Sequence, residues 1–119
     1  MAETSFHELA FPRVRENNIT GTSTDVLTNA ITLDNRNFGK ITLIIKNTGA
    51  NGLRVEIYTL ENFNGAIEFN EAIVANLGAG NTVRYFQEKL VAQVTIRVKS
   101  FMAGNPTTYS IEAIRKKND

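Results

Sequence analysis

Apolar and polar residues alternate strictly through Val94-Thr95-Ile96-Arg97-Val98-Lys99, the signature of a strand with one buried and one wet face. Val94, Ile96 and Val98 are placed in the core, and Thr95, Arg97 and Lys99 in water. The same period of two recurs in Lys40-Ile41-Thr42-Leu43, in Leu53-Arg54-Val55-Glu56-Ile57-Tyr58 and in Tyr109-Ser110-Ile111-Glu112-Ala113. Turn chemistry divides these runs: Asp34-Asn35-Arg36-Asn37, Asn47 to Gly52, Asn62-Phe63-Asn64-Gly65, Gly78-Ala79-Gly80-Asn81 and Gly104-Asn105-Pro106.

Strands are therefore predicted near residues 26–33, 40–47, 53–61, 66–76 with a break near Asn70, 81–88, 91–101 and 107–115. Helical periodicity is weak everywhere; Glu68 to Leu77 is the best helical candidate, but it lacks an apolar face of period 3.6 and is closed by Gly78. The predicted fold is all-β, an antiparallel β-sandwich, with the seven or eight strands of a jelly roll. Two regions are expected, an N-terminal arm or connector over 1–20 and a single sandwich domain over 21–119.

The arm carries Phe6, Leu9, Phe11 and Val14, with Pro12 breaking any ladder. It is either an edge strand folded onto its own domain, or an assembly arm whose apolar residues fill pockets of a neighbouring subunit while its backbone extends the neighbour's sheet.

Composition narrows the function. At 119 residues the chain suits one domain burying roughly two thirds of its unfolded surface, and 42% hydrophobic with 21% charged residues is ordinary globular usage. There is no cysteine, which excludes thiolate catalysis, disulfides and cysteine-ligated metals. The single histidine, His7, lies in the arm, whereas imidazole metal sites want two or three ligands. Thirteen basic residues balance twelve acidic ones without a concentrated stripe, so nucleic acid is not an expected partner; Arg115-Lys116-Lys117 reads as a solvated tail.

The pairs Glu56 and Glu61 or Glu68 and Glu71 are poor candidates for a hydrolase, Glu56 being placed on a solvent face. Gly78-Ala79-Gly80 leads into an alternating strand, not a helix, which argues against a phosphate loop. No enzyme, cofactor, metal or catalytic residue is predicted. Acids stand where a Sec signal needs positive charge, and no apolar run is long enough for a membrane-spanning helix. The location expected is extracellular or on a cell or virion surface, reached by lysis, a dedicated route or inclusion in a virion; the composition also suits the cytoplasm.

The order from Leu53-Arg54-Val55-Glu56-Ile57-Tyr58 through Thr82-Val83-Arg84-Tyr85-Phe86 to Val94-Thr95-Ile96 and Tyr109-Ser110-Ile111 resembles the jelly-roll subunits of bacterial endospore appendages and related self-assembling surface fibres. The resemblance covers about residues 40–115. It implies stacking by sheet augmentation and an N-terminal connector, a role that maps onto Phe6, Leu9 and Phe11. Members of that family crosslink connectors through cysteines, which this chain cannot do.

Two functions compete. The first is a non-enzymatic structural subunit self-assembling into a homomeric fibre, appendage or virion component by strand addition and arm contacts, its partner being itself. The second is a small module binding carbohydrate or another ligand by stacking on Tyr58 and Tyr85.

Overall fold

The computed structural model describes residues 13–64 and 67–117, and every regular element among them is a strand: β1 (Arg13–Thr22), β2 (Thr28–Asp34), β3 (Phe38–Asn47), β4 (Leu53–Leu60), β5 (Glu68–Leu77), β6 (Thr82–Gln87), β7 (Gln93–Ser100) and β8 (Thr108–Lys117). Two four-stranded antiparallel sheets result, ordered β1-β8-β3-β6 and β2-β7-β4-β5. Consecutive strands alternate between the sheets except at β4-β5, the double Greek key of a jelly roll.

The inner faces close on Leu43, Ile45, Leu53, Val55, Ile96 and Ile111, all fully buried. Val94, Ile96 and Val98 lie at this centre as their alternation predicts, in the strand flanked by β2 and β4. Their side chains come from one face of β7 and meet Leu43, Ile45 and Ile111 of the other sheet, so burial and register reinforce each other.

The outer face of the second sheet departs from expectation in degree. Thr95 and Glu56 point outward as predicted yet are only 2% and 6% exposed. Long neighbours cover them: Glu56 stands opposite Arg97 in register, and Tyr58 opposite Thr95. A period of two assigns the face of a residue; what lies over that face depends on the adjacent strands.

The segment Glu68 to Leu77 is a strand, not the alternative helix. β5 gains one extra residue against β4 twice, between the pairs Leu53↔Leu77 and Val55↔Val74 and again between Ile57↔Ala72 and Tyr58↔Asn70. Each bulge shifts the side-chain phase by one, which scrambles the period and places the second irregularity beside Asn70, where a break is predicted.

β1 starts at Arg13, so the expected division between 20 and 21 falls inside a strand paired with β8 from Arg13↔Lys116 to Thr22↔Thr108. Gly21 faces Tyr109 across this ladder, and a Cβ at Gly21 would overlap the Tyr109 ring. Glycine there lets the buried Tyr109 lie across the edge strand. Phe6, Leu9, Phe11 and the side chain of Val14 lie outside the described residues. The basic run is not a loose tail: Arg115 to Lys117 belong to β8, and Arg115 stacks 4.0 Å from the Phe38 ring.

Candidate assembly site

Strand direction sorts the loops into two ends. One end gathers the β1–β2, β3–β4, β5–β6 and β7–β8 connections; the other gathers β2–β3, β4–β5 and β6–β7 and the start of β1.

The first end is tied by Asn47, fully buried at the close of β3. Its amide nitrogen donates to the carbonyls of Asn51 (2.6 Å) and Leu77 (2.8 Å), and its Oδ1 accepts from the Gly49 backbone (3.0 Å) and the Thr107 hydroxyl (2.8 Å). One side chain thus joins three connections and both sheets. Val26, Phe101 and Met102 are the large apolar residues exposed here.

The second end holds a cavity of about 270 Å³. Arg36 and Phe38 line it from the β2–β3 side, Glu61, Asn62 and Phe63 from the β4–β5 side, and Leu90, Val91 and Ala92 from the β6–β7 side. Two backbone bonds hold these loops in place, Asn35 N–H to the Ala92 carbonyl (2.8 Å) and Ala92 N–H to the Leu60 carbonyl (2.7 Å). Arg36 is clamped on Asp34 through Nε and Nη2, and its guanidinium sits 4.9 Å from the Phe63 ring centre. Its hydrogen bond holds the Asp34 carboxyl below the usual range. Arg115 donates to the Asp34 carbonyl at 2.8 Å, and burial pulls its pKa down from the guanidinium norm. Leu90 is 72% exposed, although it lies between two strands in a segment that otherwise buries Val91 and Ala92.

The open edges of the sheets are β1, β6, β2 and β5. Bulges interrupt the pairing of β1, β2 and β5, whereas β6 pairs with β3 without a shift from Ile41↔Gln87 to Lys46↔Thr82. β6 is therefore the one regular edge among the described residues, built of Thr, Val, Arg, Tyr, Phe and Gln, with Phe86 69% exposed on its outer face. It contains no Lys or Pro, and Arg84 is its single charged residue, exposed on the outer face.

The charges along β5 are neutralised internally. Glu68 takes two bonds from Arg97 (2.8 and 3.0 Å), which raise the pKa of Arg97. Glu71 accepts from the Thr59 hydroxyl (2.6 Å) and pairs with Lys89 (3.1 Å); the hydroxyl and then the lysine hold its pKa down against burial. Glu56 is held below the carboxylate norm first by the Tyr58 hydroxyl and then by Arg54, with burial opposing.

The two candidate stacking residues are separated. Tyr58 lies on β4, outside the second sheet, with the Arg97 guanidinium 4.3 Å over its ring; Tyr85 lies on β6 in the first sheet, packed against the core and accepting from Gln87 at 3.0 Å. They do not form one aromatic strip. Among the described residues no cluster of three or more His, Asp or Glu is arranged to hold a metal, and no helix is long and apolar enough to cross a membrane.

Phe63 and Leu90 are not singled out by sequence pattern. For Phe63 and Leu90 the available signal is a large apolar residue inside a turn segment, where burial in the protein's own core is hard to arrange.

No protein-family profile matches this sequence, and no curated protein matches it. Solved structures do. The chain is similar in fold to a subunit of Bacillus endospore appendages, which form disulfide-linked pili, with a TM-score of 0.64 over 92% of this chain and 91% of that one at 12% identity. It is also similar to the pre-peptidase C-terminal domain of a Bacillus anthracis collagenase (TM-score 0.60, 82% and 88% covered, 13% identity). A third likeness is to the infectious bursal disease virus protein that forms a subviral particle (TM-score 0.52, 10% identity), of which this chain spans 32% while 91% of its own length is covered. At these identities the likeness is one of fold: the chain is a jelly-roll β-sandwich that resembles the endospore-appendage subunit.

Proposed function

We propose that this protein is a non-enzymatic structural subunit that assembles with copies of itself into a surface fibre, appendage or virion component. Strand addition at an open edge makes the joint, and the apolar segment before β1 supplies further contacts. The observation that carries this reading is β6, the unbulged edge whose outward N–H and C=O groups are unpaired within its sheet and whose Phe86 stands exposed beside them. A strand added there gains main-chain hydrogen bonds and covers an aromatic side chain together. The fold likeness to pilus and viral particle subunits supports the class and, with it, a surface location.

Phe86→Lys tests it. The residue is exposed, so the fold is retained, while a cation is set on the joining edge. Light scattering and electron microscopy are expected to show the native chain as fibres or closed oligomers and the variant as smaller species, with Val26→Lys at the opposite end as an unaffected control. A native chain that stays monomeric at high concentration rejects the reading; unchanged assembly of Phe86→Lys rejects β6 as the joint.

A further inference from the structure

The ladder bonds fix which backbone groups of β6 face its open edge. Asn47 donates its N–H to the Asn81 carbonyl on one side (2.9 Å), and Thr48 donates to the Thr108 carbonyl on the other (2.9 Å). Odd-numbered residues of β3 therefore bond toward β6 and even-numbered ones toward β8. Leu43 stands opposite Tyr85 and Ile45 opposite Val83, so Val83, Tyr85 and Gln87 use their main-chain groups within the sheet. Thr82, Arg84 and Phe86 turn theirs outward, and the same three carry the exposed side chains of the strand.

Arg84 is distinct in a second way. Arg36, Arg54, Arg97 and Arg115 are each held by a carboxylate, a carbonyl or an aromatic ring, whereas the Arg84 guanidinium has no such partner among the described residues. Elsewhere this fold seats a guanidinium on a ring, 4.3 Å over Tyr58 and 4.0 Å over Phe38. Phe86 stands exposed two residues along the same face from Arg84. The two make no contact within one subunit, but they meet when the strand faces a copy of itself.

β1, β2 and β5 carry bulges that break the phase of their own groups, so β6 of a second copy is the edge that matches. Two β6 edges pair antiparallel about a two-fold axis, which passes through one residue position when outward groups meet outward groups. An axis at Arg84 sets like charges directly opposite each other. An axis at Val83 or Phe86 slides one end of each strand into the turns at Gly80 or Lys89. An axis at Tyr85 sets each Arg84 opposite Phe86 of the other copy, with both main-chain bonds exchanged in each pair. The arginines are then only diagonal to one another, and each is also diagonal to Glu88 of the other copy.

We propose that β6 of one copy pairs antiparallel with β6 of a second about a two-fold axis at Tyr85, with each Arg84 laid on Phe86 of the other copy. The inference rests on β6 being the joining edge, and it names the partner of that edge. The two sheets that contain β6 become one continuous sheet. The two-fold also brings together the open sides of the two sandwiches, where Phe69 is half-exposed. Phe69 is opposite the buried Thr59 in register and so shares its inner face, and Glu71 nearby pairs with Lys89 just past β6. Such a joint closes on itself and yields pairs of subunits, so growth of pairs into a fibre falls to other contacts.

Because the chain has no cysteine, disulfide trapping reads the register directly. Arg84→Cys and Phe86→Cys change exposed positions, so the fold is retained. Across a bonded antiparallel pair their Cα atoms stand about 5.5 Å apart, inside the roughly 4.4–6.8 Å that a disulfide spans. The two single variants, one carrying a mass tag, are refolded together, sized by light scattering and then treated with diamide. A covalent dimer of one chain of each kind is expected, with neither variant linking to itself when treated alone. Self-linking of Arg84→Cys or of Phe86→Cys places the axis elsewhere and overturns the proposal. Assembly without any disulfide also overturns it while leaving self-assembly standing, and a native chain that stays monomeric rejects both. Where the cysteine variants are monomers although the native chain assembles, Phe86→Lys with and without Arg84→Glu decides. Phe86→Lys alone is expected to lose assembly, because it faces Arg84 of the second copy. Adding Arg84→Glu in the same chain sets an acid opposite each lysine and is expected to restore it; a failure to restore overturns the register.

Discussion

Replacing Asn47 by alanine should cost more than any surface change in this protein, and the cost can be worked from its four hydrogen bonds. Two of them, to the Leu77 carbonyl and from the Thr107 hydroxyl, are buried; the two to Asn51 and Gly49 are partly so. Orphaning a buried polar group costs roughly 1–3 kcal/mol, and losing a half-exposed bond costs about 0.5 kcal/mol. The sum is about 3–7 kcal/mol, a large share of the roughly 5–15 kcal/mol that holds a domain of this size. With an m-value of about 1.5 kcal/mol/M, the urea midpoint should fall by about 2–5 M. Asn47→Asp keeps the acceptor but turns a donor into an oxygen facing two carbonyls, so it should be at least as damaging as alanine at neutral pH. A loss below about 1 kcal/mol for Asn47→Ala at unchanged m would refute the reasoning, because Asn47 would then not be the tie between the sheets.

Asn35 provides the contrast: it is just as buried, but neither of its amide atoms has a hydrogen-bond partner among the described residues. Asn35→Leu is therefore expected to change stability by less than about 1 kcal/mol in the same urea titration, since no partner is orphaned by the loss of the amide. Glu56 gives a pH dependence of defined sign. Its folded pKa lies below the unfolded value near 4.5, so its contribution is complete above that pH and is lost as the pH falls through the folded pKa. The gap in urea midpoint between the native chain and Glu56→Gln should accordingly narrow on acidification from about pH 5 downward, and a gap that widened would contradict the assignment.

The jelly roll was legible because most strands keep the period of two that a half-buried sheet imposes, and because glycine and asparagine mark the turns between them. Gly80 shows why: at φ +76° it closes the β5–β6 turn in a conformation that other residues rarely adopt. Where legibility failed, the lost information was nonlocal. Glu56 has the sequence context of a solvated charge; Arg54 and Tyr58 share its face on the same strand, but the register that sets Arg97 opposite it comes from β7 and is not legible in β4. Arg115 has the context of a basic tail, and only its register opposite the buried Ile41 turns it inward against Phe38.

The same distinction separates what pattern could say about assembly from what it could not. Alternation announces that sheets exist, but whether an edge is open for joining depends on bulges, and a bulge is a mismatch between two strands that neither encodes alone. Ala30 becomes an extra residue only because β7 offers no partner between Arg97 and Ile96, and Glu71 only because β4 passes directly from Ile57 to Tyr58. These insertions twist β2 and β5 away from regular pairing, and another does so in β1. β6 is left as the one edge strand paired without a shift among the described residues. If the proposed assembly by strand addition holds, one regular edge among three irregular ones gives it a defined place to join.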